Sequence, residues 1–538
     1  MMRNLLMRRR DWLTRSAALM GLGLLTGCNA DGSGESAGAT PAPDAKPLRL
    51  PTGQPNRLSL SIDLGQQGEP VNRKLLGQNM QWVDRGDEMF DGTARPRPEM
   101  VALAQQMGCT TLRYPGGLQA DTHHWERGMG MLSERGLNEH ANARSMQPTL
   151  VGTQEFLELC ERLGATPLIT VNIASGSAQE AAEWVRQVNV TGLRSRATGQ
   201  RLPKVPMWEL GNEPYLQPQE QPELWLKPAE FAQRAKRFAQ AMLAVDPSIS
   251  LSLPLTTDRR NGHPITPLPG FSKEVLKVDI PGVTHFSLHN AYVPFGMERS
   301  HSADALYWGA MAGGRALAED LRNMRALLAE LRPGTRPRFA ITEFNSLFTL
   351  GKGESDQLPK APVGALAVAE LMRVLASERD VDLAHFWSLS GNGFFGALHP
   401  HGWMRPAGQV LALFSTALNG QRMAGDLQAP TLDTPSVGVS PLTKALPLAE
   451  SLVTREGATL RVLIVHKDPV NPALLEVNLA GGRIQSGGVS LLRADSPFDV
   501  KDVAKVMRRE DASWPAEGRL SLPPCSVALL ELKTKALT

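Results

Sequence analysis

The sequence predicts an α/β chain: a (β/α)8 TIM barrel followed by a C-terminal antiparallel β-sandwich. Three observations lead there. Short apolar runs alternate with longer helical patterns through the middle of the chain. The apolar runs number eight. Beyond about residue 420 the helical patterns stop, and short alternating segments separated by Gly, Pro, Asn and Asp replace them. Strands alternating with helices make a parallel sheet, and eight of them close a barrel.

The predicted barrel strands are Lys74–Met80, Thr110–Tyr114, Thr166–Ile173, Val205–Leu210, Ile249–Leu253, Val283–His289, Arg338–Glu343 and Leu383–Leu389. Apolar residues at helical spacing mark helices over Glu155–Leu163, Pro228–Val245, Leu317–Leu331 and Ala365–Ser377. A doubly wound open sheet is the alternative, but no glycine-rich phosphate loop opens the first helix. In the last part of the chain, Leu460–Val465, Leu474–Leu479, Gly488–Leu492 and Val527–Leu532 alternate as sandwich strands do. Leu58–Leu64 alternates in the same way before the barrel begins, and is expected to return and pair with them.

The N-terminus reads as an address. Arg3, Arg8, Arg9 and Arg10 precede an apolar stretch, Ala17 to Thr26, that is too short to span a bilayer. Leu25-Thr26-Gly27-Cys28 resembles a bacterial lipobox, which makes Cys28 the lipidation site. Arg9-Arg10-Asp11-Trp12-Leu13 resembles a twin-arginine export signal. Residues 29–56 are rich in Gly, Ser, Ala, Pro and Asp and read as a disordered tether. The sequence thus divides into a lipoprotein signal peptide (1–28), the tether (29–56), a strand joining the sandwich (57–70), the (β/α)8 barrel (71–420) and a β-sandwich (421–538). The expected location is outside the cytoplasm, lipid-anchored to the cell envelope, with Asn29 after Cys28 favouring the outer membrane.

Composition narrows the function. The 57 basic and 54 acidic residues give a formal charge of +3, without the concentrated basic face that nucleic acid requires. Of the 4 cysteines, Cys109, Cys160 and Cys525 remain beyond Cys28, and none sits in a C-x-x-C pair. A disulfide framework or a zinc site is not expected. No cofactor is expected either.

Two carboxylates carry the chemistry. Trp208-Glu209-Leu210-Gly211-Asn212-Glu213-Pro214 ends the fourth strand, and Ile341-Thr342-Glu343-Phe344-Asn345 ends the seventh. Barrel active sites lie at the C-terminal strand ends, so Glu213 and Glu343 should face one cleft. A retaining glycosidase needs two carboxyls about 5–5.5 Å apart, one protonating the leaving oxygen and one attacking the anomeric carbon. Glu213 is the expected acid/base and Glu343 the expected nucleophile. Glu209 points away from its neighbours by strand alternation and reads as structural.

These motifs resemble the clan of (β/α)8 retaining glycosidases. Leu112-Arg113-Tyr114-Pro115-Gly116-Gly117 with Trp125 resembles the second-strand region of α-L-arabinofuranosidases of glycoside hydrolase family 51. Glu155-Phe156-Leu157, Leu163-Gly164-Ala165 and Val171-Asn172 resemble that family's third βα unit, and Leu522-Pro523-Pro524 with Ser526 resembles its last sandwich strand. The resemblance implies an exo- or endo-acting enzyme on poly- or oligosaccharide. It implies that Asn212 binds the sugar 2-hydroxyl, and that Tyr292 or His289 orients Glu343. Arg113 either holds Glu343 ionised or forms a structural ion pair at the barrel floor. Trp82, Asn172 and Trp387 are the remaining candidate substrate-binding residues, with Trp387 either an aromatic floor or a core residue.

The chain departs from the family in having Gln81-Trp82 where a Glu usually follows the first strand. Asn-Glu-Pro around the acid/base is nearer to β-glucuronidase and heparanase relatives. Two other functions compete: an inactive surface carbohydrate-binding lipoprotein, and an envelope enzyme that trims the cell's own exopolysaccharide.

Overall fold

The computed structural model describes residues 54–536 apart from 218–220, 258–267, 298–300, 350–357, 392 and 394. Cys28, the signal peptide and all but the end of the tether lie outside the described residues. Eight parallel strands close a barrel. They are β1 Gly77–Asn79, β2 Thr111–Tyr114, β3 Thr166–Thr170, β4 Met207–Glu209, β5 Ser250–Pro254, β6 Val283–Ser287, β7 Phe339–Thr349 and β8 Val381–Phe386. Each pairs with its sequence neighbours and β8 pairs with β1; β6 meets β7 over only Phe286↔Phe339 and Ser287↔Ala340. The strand Ala291–Met297 pairs in parallel with the long upper half of β7 and carries the wall of the barrel upward.

Each strand lies within or overlaps its predicted span. The first is the shortest relative to expectation, because Arg73–Leu76 forms a 3-10 turn capped by the Asn72 side chain. The helices form for local reasons. Helix Pro228–Val245 has Pro at its first position and buries Phe231, Ala235, Phe238, Ala239 and Met242, a stripe at helical spacing. Helix Thr153–Leu163 begins where Glu155 accepts from the Gly152 backbone N–H at 2.9 Å, and stops at Gly164 with φ 65°.

The C-terminal part is a sandwich of two sheets. One holds Asp426–Gln428, Asn56–Asp63, Ala473–Ala480 and Arg519–Leu522 in that order; the other has seven strands, with Thr459–His466 and Ser526–Ala536 at its middle. Leu58, Leu60 and Ile62 alternate inward against Val462, Ile464, Leu530 and Leu532. One pair departs from the antiparallel expectation: Asn56–Asp63 runs parallel to Ala473–Ala480 over eight residues. No short hairpin joins these two segments, so nothing forces them antiparallel.

Along Thr459–His466 the alternate residues Leu463 and Val465 face the other way and join the barrel core. That seam also buries charge. Lys467 Nζ lies 2.9 Å from Glu370 Oε2 and contacts Glu450; Arg373 Nη2 lies 2.8 Å from Glu450 Oε1. Glu370 and Arg373 belong to helix Pro362–Leu375 of the barrel, while Glu450 and Lys467 belong to the sandwich.

Candidate active site

A polar layer fills the upper barrel. Asn79 from β1, Arg113 from β2, Thr170 from β3 and Glu209 from β4 point inward, as does Thr342 of β7. All five are buried. A buried guanidinium must have partners, and Arg113 has four. Its Nε donates to Glu209 Oε2 at 2.7 Å, its Nη1 to Asn79 Oδ1 and Glu343 Oε1 at 2.9 Å each, and its Nη2 to Asn212 Oδ1 at 2.9 Å. The two readings of Arg113 therefore merge: it pairs with a structural carboxylate below and with Glu343 above. Burial opposes ionisation of Glu209, but Arg113 outweighs it and holds that carboxyl at about 2.

Glu343 lies midway along β7, just before the strand begins to pair with Ala291–Met297, and is 3% exposed. Tyr292 Oη donates to Glu343 Oε2 at 2.6 Å, so Tyr292, not His289, orients the carboxylate. Burial pushes the Glu343 pKa up, while His289, Arg113 and Tyr292 pull against it and Glu213 adds to the rise; the net direction is upward. Glu213 sits in the turn after β4 at φ 40°, a conformation a non-glycine residue adopts at a cost. Its side chain is 25% exposed, against 4% for Glu343. One oxygen of each carboxylate and a ring nitrogen of His289 all lie within 4.8 Å of one another.

His289 stands between the two. Thr342 Oγ1 donates to Glu209 Oε1 at 2.7 Å, so its lone pair accepts from His289 Nε2–H at 2.8 Å. That fixes the tautomer and turns Nδ1 toward Glu213 Oε1 at 3.1 Å, a close contact without hydrogen-bond alignment. Burial lowers the His289 pKa, but Glu343 and Glu213 outweigh it and leave it raised. By distance this triad could bracket a cation, but a cation there would face the Arg113 guanidinium already bound to Glu343 Oε1.

Asn212 Oδ1 is held by Arg113, and its Nδ2 is buried with no partner among the described residues, as a donor awaiting a ligand oxygen would be. Trp387 is 9% exposed and packs over Gly117, where a Cβ would meet Cη2 at 2.4 Å. Two further candidates have their side chains engaged away from the carboxylate pair. Trp82 is 2% exposed and lies behind the cleft, its ring centroid 5.8 Å from that of His123, because it follows the inward-pointing Gln81 and so faces the core. Asn172 spends its side chain on the loop, donating to His123 O and accepting from the Ser175 backbone N–H at 2.9 Å.

The sequence reading missed Asp121. It is 8% exposed, with one oxygen unpartnered among the described residues, beside Glu213 and the Asn212 backbone N–H. Burial first, and Glu213 second, push its carboxyl well above the usual range. An acid inside the short 3-10 helix Gly117–Thr122 carries no spacing signal that marks it. Gln81, whose amide nitrogen donates to Asp87, was noted only as a departure.

Known proteins resemble this chain in part. Residues 103–277 match the family model described as Alpha-L-arabinofuranosidase 1 domain. Alpha-L-arabinofuranosidase C of Emericella nidulans is 33% identical over 180 residues, 32% of this chain and 34% of that protein. The Exo-alpha-(1->6)-L-arabinofuranosidase of Bifidobacterium longum is 26% identical over 255 residues, 44% of this chain and 47% of that protein. The match thus spans from about a third to under half of the length of these curated relatives. Among solved structures, the α-L-arabinofuranosidase from Thermotoga maritima in complex with arabinose superposes with a TM-score of 0.74 at 19% identity, covering 88% of this chain and 100% of that one. The family 51 α-L-arabinofuranosidase AbfB from Bifidobacterium longum gives 0.72 at 19% identity, covering 90% and 100%. The chain shares with them the closed barrel and its C-terminal sheet domain.

Proposed function

We propose that the chain is a retaining glycoside hydrolase of α-L-arabinofuranosidase type, acting on arabinofuranosyl groups of poly- or oligosaccharides by double displacement. The pair Glu213 and Glu343 carries the reading: two carboxylates from β4 and β7 with unequal surroundings, close enough to flank one glycosidic bond. Glu343, fixed by Arg113 and Tyr292, attacks the anomeric carbon. Glu213 protonates the departing oxygen as the carbon–oxygen bond to the leaving group breaks. The glycosyl ester on Glu343 is then cleaved by a water whose proton Glu213 takes. His289, turned to Glu213 by Thr342, is placed to exchange charge with it as its proton leaves and returns. The names of the matched relatives support the arabinofuranosyl group. Arg113 favours a neutral sugar over an acidic one: it is already bound to two carboxylates and is not free to pair with a third. A catalytically inactive binding barrel has no need of carboxylates held in this way.

We further propose that the protein is exported and held to the cell envelope through lipid on Cys28, which places the polysaccharide substrate outside the cytoplasm. The run Leu25-Thr26-Gly27-Cys28 supports this.

Purified protein assayed against a panel of nitrophenyl glycosides should hydrolyse the α-L-arabinofuranoside and spare the β-D-glucuronide. NMR of the first-formed sugar should show a retained anomeric configuration. No turnover of the arabinofuranoside, or inversion, would overturn the proposal.

A further inference from the structure

Asp87 is a carboxyl in an unusual place. It is 5% exposed and has no cation beside it among the described residues. Both of its oxygens are spent on one neighbour: Oδ2 accepts from the Gln81 backbone N–H at 2.9 Å and Oδ1 from Gln81 Nε2 at 3.1 Å. The turn that brings it there is left-handed throughout. Asp84, Arg85, Gly86, Asp87 and Glu88 have φ of 48°, 55°, 64°, 54° and 65°. Four of these are not glycine, and a side chain is crowded in that conformation. The fully buried Val83, Met89 and Phe90 hold the turn in place. A strained turn that buries an uncompensated acid beneath one side chain suggests that the side chain has a task.

Gln81 faces the cleft. The barrel pairing continues past β1, since the Met80 backbone N–H donates to Arg113 O at 2.9 Å and Asn79 O accepts from Leu389 N–H at 2.9 Å. Asn79 points inward to Arg113, and Met80 outward to the turn, where its sulfur approaches Gly86. Alternation then sends Gln81 inward, one layer above Asn79 toward the mouth. It is half-buried beside Gly116, where a Cβ would lie 3.5 Å from Gln81 Cγ; the next residue, Gly117, packs on Trp387. With Nε2 given to Asp87, Oε1 is left as an acceptor with no protein partner among the described residues.

We propose that Asp87 is a positioning residue that locks the Gln81 carboxamide with its oxygen toward the cleft, and that Gln81 held this way is a specificity-determining contact accepting a hydrogen bond from a sugar hydroxyl. The contact to sugar rests on the glycosidase reading above; the lock does not. An ionised Asp87 can only accept and so binds the amide nitrogen. A protonated Asp87 can donate to the amide oxygen instead, which turns the nitrogen to the cleft and replaces the acceptor by a donor. Burial pushes the Asp87 carboxyl up to about 7; Asp84 and Glu88 of the same turn add to the rise, and the two bonds from Gln81 oppose it. The lock is therefore set to change state near neutral pH.

The test uses the full chain, the variants Asp87→Asn and Gln81→Ala and their combination, and an activated aryl arabinofuranoside. Each single variant should raise KM about 10-fold, the size of one lost hydrogen bond, with kcat little changed. The double variant should be no worse than Gln81→Ala alone, because Asp87 acts only through Gln81. KM of the wild type should rise as pH falls through about 7, and that dependence should vanish in Asp87→Asn. Independently of any substrate, the side-chain amide signals of selectively labelled Gln81 should titrate near the same pH in the wild type and stay fixed in Asp87→Asn. Additive losses, an unchanged KM in Asp87→Asn, or amide signals indifferent to pH would each overturn the proposal. An unaltered, well-folded wild type that cleaves no glycoside removes the glycosidase reading and the sugar contact with it, while the amide titration still decides the lock.

Discussion

Tyr292 and Arg113 grip opposite oxygens of Glu343: the phenol donates to Oε2 at 2.6 Å and the guanidinium to Oε1 at 2.9 Å. One is neutral and one charged, so they contribute differently. Tyr292→Phe removes a hydrogen bond to an ionised group and leaves the shape. It should lower kcat by about 10- to 100-fold. Because the lost bond favoured the charged form, the Glu343 pKa rises further and the acid limb of the kcat/KM profile moves to higher pH. A limb that stays or moves to lower pH would refute this use of Tyr292.

Glu213 and Glu343 should fail in different ways. Glu343→Gln should abolish turnover of every glycoside. Glu213→Ala should slow natural glycosides severely but spare the first step on dinitrophenyl glycosides, which need little acid assistance. Azide should then restore turnover of Glu213→Ala and give a glycosyl azide of retained configuration. Equal loss on both substrate types, without azide rescue, would remove Glu213 from the acid/base role.

Glu209 ties stability to acid. Its carboxyl is held at about 2 in the fold, against 4.5 for an unperturbed glutamate. A depressed acid stabilises the folded state above its unfolded pKa and loses that contribution as pH falls through the folded one. The window is therefore about pH 4.5 down to 2, and the amount at stake is about 3 kcal/mol. Melting curves of Glu209→Gln should show a lower Tm near neutral pH and a shallower fall of Tm across that window. A slope unchanged from the wild type would mean that Glu209 gains nothing from Arg113.

Cys28→Ser should release the exported protein from the membrane fraction. One acyl chain binds a bilayer only marginally, so full lipoprotein modification is implied. Membrane retention of the variant would refute the anchor.

The sequence carried the barrel clearly because its strands are apolar runs and its helices have apolar stripes; Pro228–Val245 was legible to the residue. The carboxylate pair was legible because each follows such a run at its C-terminal end. What alternation could not supply was distance. Trp82 and Asn172 occupy plausible motif positions, yet one turns to the core and the other is consumed by its own loop. Asp121 and Asp87 were invisible for the opposite reason. Asp121 lies in a short 3-10 helix and Asp87 in a turn, each with its path set by tertiary packing, and in the second case by left-handed backbone that no propensity predicts.

The strand Asn56–Asp63 lies inside its sheet, between Ala473–Ala480 and Asp426–Gln428, and is laddered to the first over eight residues. Tension applied along that strand from its N-terminal side does not peel hydrogen bonds one at a time. It loads the whole ladder in shear, so the bonds must break together. The segment that leads into the globular part is thus attached as a mechanical clamp, and a pull on the leading end should be resisted by the sandwich before any of it reaches the catalytic barrel.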